Sequence, residues 1–340
     1  MTPRKTCALT SQVYHGIILS IQLGDKVVRM RRKDAQEVKD IASFKRMFPY
    51  LMRGRNESAV YFHEEIEMGE VIKFLKQKNA GLPKKRYGIF HVFLAAMVRT
   101  FTLRPQMNRF IINRKFYQRN NIIFSFIVKR QMTDDGDERT AIITFDTNDT
   151  LDTVADRVDA NIDRARNDDS HEDEDLIKTV LKFPKFIVGG FIALLRYLDR
   201  IGMMPKEIAD IDSMHVSAYI ANLGSIGLDK IPFHHLYEWG TTSVFIVMGK
   251  LHKVKYIGDS GEEQVKDVMD ITVTIDERIA DGVYFSRTIE AFKRLMQNPQ
   301  ELESPPVLES KLSTPESKLS GTESKLSSRE QLSGREQPSA

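Results

Sequence analysis

Strands and helices interleave along this chain, which predicts an α/β or α+β domain built on a substantial sheet. Two observations carry that expectation. Short runs of alternating apolar residues recur, as at Val268, Ile271, Val273 and Ile275. Between such runs lie segments whose apolar residues repeat at helical spacing, as at Phe90, Phe93, Leu94, Met97, Val98 and Phe101. With 340 residues and 41% hydrophobic content, the chain can bury one large core or two modest ones.

Residues 1–47 lack sustained periodicity and are expected to form a basic N-terminal arm. The body begins near Phe48. Tyr61 to Met68 reads as a strand, followed by a short helix that ends before Gly81-Leu82-Pro83. A longer helix covers Tyr87 to Leu103. Ile122 to Val128 and Thr140 to Phe145 read as strands on either side of the turn-forming Asp134-Asp135-Gly136-Asp137. Thr150 is placed to cap a helix with Leu151, Val154, Val158 and Ile162 on one face, ended by the acidic loop Asn167 to Asp175. Helical patterning resumes at Leu176 and stops at Met204-Pro205. Strands follow at His215 to Ala221, Ser243 to Gly249 and Val268 to Ile275, and then a helix with Phe285, Ile289, Phe292 and Leu295 on one face. In residues 303–340, Glu309-Ser310-Lys311-Leu312-Ser313 recurs from Glu316 and from Glu323. One leucine in seven cannot make a coiled-coil seam, so this low-complexity tail is expected to be disordered.

Composition excludes several functions. A net charge of +3 from 50 basic and 47 acidic side chains gives no argument for nucleic-acid binding. The basic run Lys26 to Lys45 and the acidic run Asp134 to Asp175 read as solvated faces and loops, with phosphates or an anionic membrane surface the alternative partner for the basic run. Cys7 is the only cysteine, so no intrachain disulfide and no cysteine-based zinc site can form, and a reducing compartment such as the cytoplasm is expected. The apolar run Phe186 to Leu195 falls short of the ~20 residues of a spanning helix, and a surface amphipathic helix is expected there. Ile17 to Leu23 lacks the flanks of a signal peptide. No glycine-rich nucleotide loop is present. His63-Glu64-Glu65-Ile66-Glu67 lacks the second histidine of a zinc motif, and the acidic loop around Asp168, Asp169, Glu172 and Asp173 lacks a calcium loop's glycine, so no metal is expected.

Asp276-Glu277-Arg278-Ile279-Ala280-Asp281-Gly282 lies between the last strand and the last helix. It resembles the H-x-x-x-D-G signature of the chloramphenicol acetyltransferase-like superfamily, which includes the catalytic domain of the acyltransferase subunit of 2-oxo acid dehydrogenase complexes. Further blocks in the family's order extend the resemblance over residues 48–302. Arg104-Pro105-Gln106-Met107-Asn108 resembles its P-x-x-N segment, Tyr219-Ile220-Ala221-Asn222-Leu223-Gly224 its T-I-S-N-x-G segment, and Val247-Met248-Gly249-Lys250 a strand end before the last hairpin. The resemblance implies a single α/β domain with a mixed sheet flanked by helices. It also implies a homotrimer with sites between subunits, and coenzyme A or acyl-coenzyme A as a thiol ligand. The residues ahead of the body are too few for a lipoyl or peripheral-subunit-binding domain, so a stand-alone catalytic-domain homologue without a covalent lipoyl group is expected.

In that family the motif histidine takes the proton of a coenzyme A or dihydrolipoamide thiol, and a serine hydroxyl donates to the oxyanion. The matching positions here are Glu277 and Ala221. An unperturbed glutamate at ~4.3 lies about four units below a thiol at ~8.5, a mismatch on the order of 6 kcal/mol. Burial and the like charges of Asp276 and Asp281 would restore part of the basicity. Ala221 offers no donor, and losing one oxyanion donor costs about 10²–10³ in rate. Asn222, Ser217 and Ser225 are the candidates to replace it. Asp281-Gly282 is expected to shape the strand-to-helix turn, and His234-His235, the candidate relocated base, to be an ordinary hydrogen-bonded loop pair. The site set is therefore Glu277, Asp281, Ala221 and Asn222. Two departures at the two chemical positions predict a degenerate site with a binding or assembly role. The rivals are an active acyltransferase using Glu277 and a structural trimer with a closed channel.

Overall fold

The computed structural model describes residues 32–129, 133, 138–167, 181–204, 208–209, 212–258 and 260–307. The described strands are β1 Ala35–Glu37, β2 Ala59–Glu67, β3 Arg109–Ile112, β4 Lys115–Arg119, β5 Ile122–Lys129, β6 Glu138–Phe145, β7 Ala218–Asn222, β8 Val244–Ile257 and β9 Glu263–Asp276. The longer described helices are α1 Gly69–Lys78, α2 Ile89–Leu103, α3 Leu151–Asn167, α4 Lys185–Arg200 and α5 Gly282–Gln297. Six strands form one sheet in the order β2-β9-β8-β7-β5-β6. Its β5–β7 and β7–β8 pairs are parallel and the rest antiparallel, so the sheet is mixed and the class is α/β as expected. The long excursion from β5 to β7, carrying β6, α3 and α4, supplies the crossover that parallel pairing needs.

Strand alternation divides the sheet into two faces. Ala218 and Ile220 of β7 and Ile271, Val273 and Ile275 of β9 point into the main core. There they meet Val71 and Phe74 of α1, Phe93 and Val98 of α2, Val154 and Val158 of α3, and Phe285 and Phe292 of α5. The rings of Phe93 and Phe292 meet edge to face at 5.4 Å, which ties α2 to α5. On the opposite face, Tyr219, Phe245 and Val247 form a second cluster with Leu236 from the loop between β7 and β8. That loop is tied down by the β9 threonines: Thr272 donates to the Pro232 carbonyl at 2.9 Å and Thr274 to the His234 carbonyl at 2.5 Å.

The C-terminal end of the expected basic arm is part of the fold. β1 pairs with β4 in a three-stranded sheet of order β1-β4-β3. Arg32 is buried, donating to both oxygens of Asp34 and to the carboxylate and carbonyl of Asp199 on α4. A strand of three residues with one buried side chain leaves almost no periodic trace in the sequence. At the other end, packing continues beyond Leu302: Glu303 pairs with Lys78 at 2.7 Å, and Ser304 accepts from Arg99 at 2.5 Å. The Asp134 to Asp137 turn, the acidic loop beyond Asn167, the helical start at Leu176, Cys7 and the repeat tail lie outside the described residues. Among the described residues no helix is long and apolar enough to cross a membrane.

Candidate active site

The strand-to-helix turn is built around a buried ion pair. Asp276 ends β9 completely buried, and Arg278 reaches back to it with Nε to Oδ1 at 2.8 Å and Nη2 to Oδ2 at 2.7 Å. Ser58 donates a third hydrogen bond to Asp276 at 3.0 Å, and Arg278 Nη1 donates to the carbonyls of Met52 and Arg53. This lattice clamps the turn to the segment that enters β2. Glu277 is half-buried, and its backbone N–H donates to the Ser58 carbonyl at 2.9 Å. Asp281 caps α5 by accepting from the Tyr284 N–H at 2.8 Å, and it also accepts from Lys45 Nζ at 2.6 Å. Those two donors, Lys45 first, hold its carboxyl below the ordinary aspartate range. Asp276 and Asp281, the like charges expected to make Glu277 more basic, are thus each engaged by a cation of their own.

Ala221 sits at the end of β7 with its methyl packed against the cluster of Tyr219, Leu236, Phe245 and Val247. Asn222 accepts from the Ser225 N–H at 3.1 Å, and the Ser225 hydroxyl donates back to the Asn222 carbonyl at 2.7 Å, so these two fold the turn that follows β7. Ser217 accepts from the Ile123 N–H at 2.9 Å. Gly224 has a steric reason: a Cβ there would lie 2.3 Å from the Gly249 carbonyl oxygen. Two blocks singled out in the sequence, one ending at Gly224 and the other containing Gly249, therefore meet backbone to backbone.

Register places the chemical positions apart. Ala221 is level with Val247 of β8, and Val247 with Thr272 of β9. Glu277 lies five residues beyond Thr272 along the sequence, roughly 17 Å at ~3.3 Å per residue, and two strand spacings add about 10 Å across the sheet. One copy of the chain does not bring Glu277 and Ala221 together. Glu277 and Asp281 do share the turn, as do Ala221 and Asn222 the end of β7.

The histidine pair is structural. His234 stacks on Phe245 with centroids 3.8 Å apart, and Nδ1 of each histidine contacts the next residue's carbonyl oxygen. Neither has a carboxylate partner among the described residues. The sequence His63 to Glu67 lies on β2, where alternation separates its side chains, and no group of potential metal ligands occurs among the described residues. Sequence reasoning missed Ser58 and the Asp276–Arg278 pair; the only available signal was an acid and an arginine two residues apart at a strand end.

Residues 206–303 match the family model described as 2-oxoacid dehydrogenases acyltransferase (catalytic domain). That span contains Ala221, Asn222, Glu277 and Asp281. Over that span the chain is similar to these acyltransferase catalytic domains. No curated protein matches it. Among solved structures, a probable dihydrolipoamide acetyltransferase from Listeria monocytogenes is 13% identical, with 77% of this chain and 95% of that one covered at a TM-score of 0.49. The dihydrolipoamide acetyltransferase of Azotobacter vinelandii is 15% identical over 78% of this chain and 94% of its own, with a TM-score of 0.49. A chloramphenicol acetyltransferase is 16% identical over 78% and 98%, again at 0.49. All three TM-scores lie below 0.5.

Proposed function

We propose that this chain keeps an acyltransferase catalytic-domain architecture without efficient acyl transfer and acts in binding or assembly, with coenzyme A or an acyl-coenzyme A as its thiol ligand. The reading rests on a pair of departures from the family's motifs, Glu277 where the resemblance puts the base and Ala221 where it puts the oxyanion donor, both inside the family-matched span. The surroundings support it. Asp276 and Asp281 are neutralised by Arg278 and Lys45, and Ala221 lies against apolar side chains while Asn222, Ser217 and Ser225 are engaged in local hydrogen bonds. The separation of Glu277 from Ala221 further favours sites formed between copies, in a homotrimer, with the β9 end of one subunit facing the β7 end of the next.

The decisive experiment restores both groups. The double substitution Glu277→His with Ala221→Ser should create measurable acetyl transfer from acetyl-coenzyme A to dihydrolipoamide, and each single change should give much less, because the base and the oxyanion donor act on the same step. A double variant that binds coenzyme A yet remains inactive would show that more than these two groups has been lost.

A further inference from the structure

A polar cleft of about 550 Å³ opens beside the Asp276–Arg278 clamp. Its walls carry Arg53, Arg55, Arg114, Arg196, Arg200 and Arg278, with Asp199 and Glu238 as the only acids. Both acids are already engaged, and each offsets only part of the Arg55 charge. Asp199 is taken by Arg32 and faces His215, while Glu238 accepts from the Asn56 N–H at 2.9 Å. Arg278 is paired with Asp276. The other five arginines have no carboxylate partner among the described residues.

Arg55 is the most informative of them. It is 95% buried, since only 5% of its surface is exposed. Nη1 donates to the carbonyls of Tyr237 and Glu238 and Nη2 to that of Gly240, but Nε has no acceptor. Burial lowers its pKa, Asp276 opposes the fall, and the nearby Arg278 adds to it. A buried guanidinium held only by carbonyls, with one donor unused, is a costly arrangement that an anion would relieve. Around it the exposed Arg53, Arg114 and Arg196 stand on three different segments, and Arg196 lies over the Trp239 ring at 6.0 Å. Fork-shaped donors converging from several segments suit a phosphoryl group better than a lone carboxylate. Several unbalanced cations call for more than one negative charge, and the volume fits a small molecule.

We infer that this arginine-lined cleft is a binding site for a diphosphate, free or carried by a small organic molecule. Glu277 and Ala221 do not line the cleft, so binding there is read separately from acyl transfer, and coenzyme A, itself a diphosphate ester, is one molecule of the class it would accept.

Trp239 is the only tryptophan of the chain and lines the cleft, so its fluorescence reports occupancy. Titrating the full chain with inorganic pyrophosphate should change that fluorescence saturably and raise the melting temperature beyond sodium chloride of equal ionic strength. The double substitution Arg196→Ala with Arg200→Ala, both exposed on α4, should weaken binding by about tenfold or more. Arg53→Ala, on a separate segment, should weaken it as well. Lys84→Ala with Lys85→Ala, outside the cleft, should leave it unchanged. ADP forms a second arm: tighter binding than pyrophosphate assigns a nucleotide as the diphosphate's source, the reverse order a free inorganic anion, and either supports the site. Absence of saturable binding in both arms, or binding that ignores the arginine substitutions, would overturn the inference.

Discussion

At Asp276 a single carboxylate satisfies a buried arginine, a serine hydroxyl and a backbone N–H. Asp276→Ala leaves Arg278 buried with only the Met52 and Arg53 carbonyls and should cost about 3–5 kcal/mol, read as a fall in the urea midpoint. A loss below about 1 kcal/mol would mean the pair is not needed to hold the turn. His215 makes a second prediction. Burial works against its charged form, but Asp199 and Asp212 outweigh it and raise the imidazole above the ordinary histidine value. Nδ1 is 2.9 Å from Asp212, whereas Nε2, 3.4 Å from Asp199, lacks hydrogen-bond alignment and interacts by charge alone. A raised folded value means this stabilisation is fully present below the unfolded ~6.5 and is lost as pH rises through the folded value. The aspartates run oppositely: against burial, His215 holds both below their ordinary value, so their share is present above ~3.9 and lost as pH falls through their folded values. The urea midpoint should therefore decline from about pH 6.5 upward more steeply in the native protein than in His215→Gln. Equal slopes would contradict it. Glu277 and Ala221 were readable as departures from a motif; the bonding of the Asp276–Arg278 pair was not, because Ser58, which donates to Asp276, and Met52, which accepts from Arg278, are more than two hundred residues away in sequence.

Secondary elements show the same division. The helix with Phe90, Phe93 and Val98 and the strand with Val273 and Ile275 lie where periodicity places them, since the apolar residues of each pack into the main core. β8 runs to Ile257 although the expected strand stops at Gly249. Its outer half, Lys250 to Ile257, holds no fully buried residue and is held by pairing with β9, so it adds no core face that would extend the expected strand. The expected start at His215 moves to Ala218, because Ser217 satisfies the Ile123 backbone through its side chain and its own N–H rather than by strand pairing. The α5 cap was foreseen as a turn-shaping residue, and its geometry gives it a magnitude. Asp281→Ala removes an N-cap and an exposed contact to Lys45, and should cost about 1 kcal/mol with little change in cooperativity. Asp281→Asn, which keeps a capping oxygen, should recover most of that loss, and a thermal melt of the two variants checks it.

For the whole molecule, the mixed sheet with helices against its main-core face followed from interleaved patterns and the family-like blocks, whereas strand order and the placement of residues 32–37 depended on long-range pairing that a single sequence does not display. The C-terminal limit of the body also moved, because Glu303 and Ser304 make contacts that composition conceals. A chain ending at Pro306 should therefore melt as the full chain does, while one ending at Leu302 should be less stable for lack of the Arg99 and Lys78 partners. Light scattering of the Pro306 form should report a trimer if sites form between copies, and a monomer would contradict that assembly. The central claim is that the fold has outlived its chemistry. The most direct measurement is the rate of acetyl transfer from acetyl-coenzyme A to dihydrolipoamide by the native full chain. That rate should be indistinguishable from the uncatalysed background, and robust turnover that Glu277→Gln abolishes would contradict the loss of chemistry.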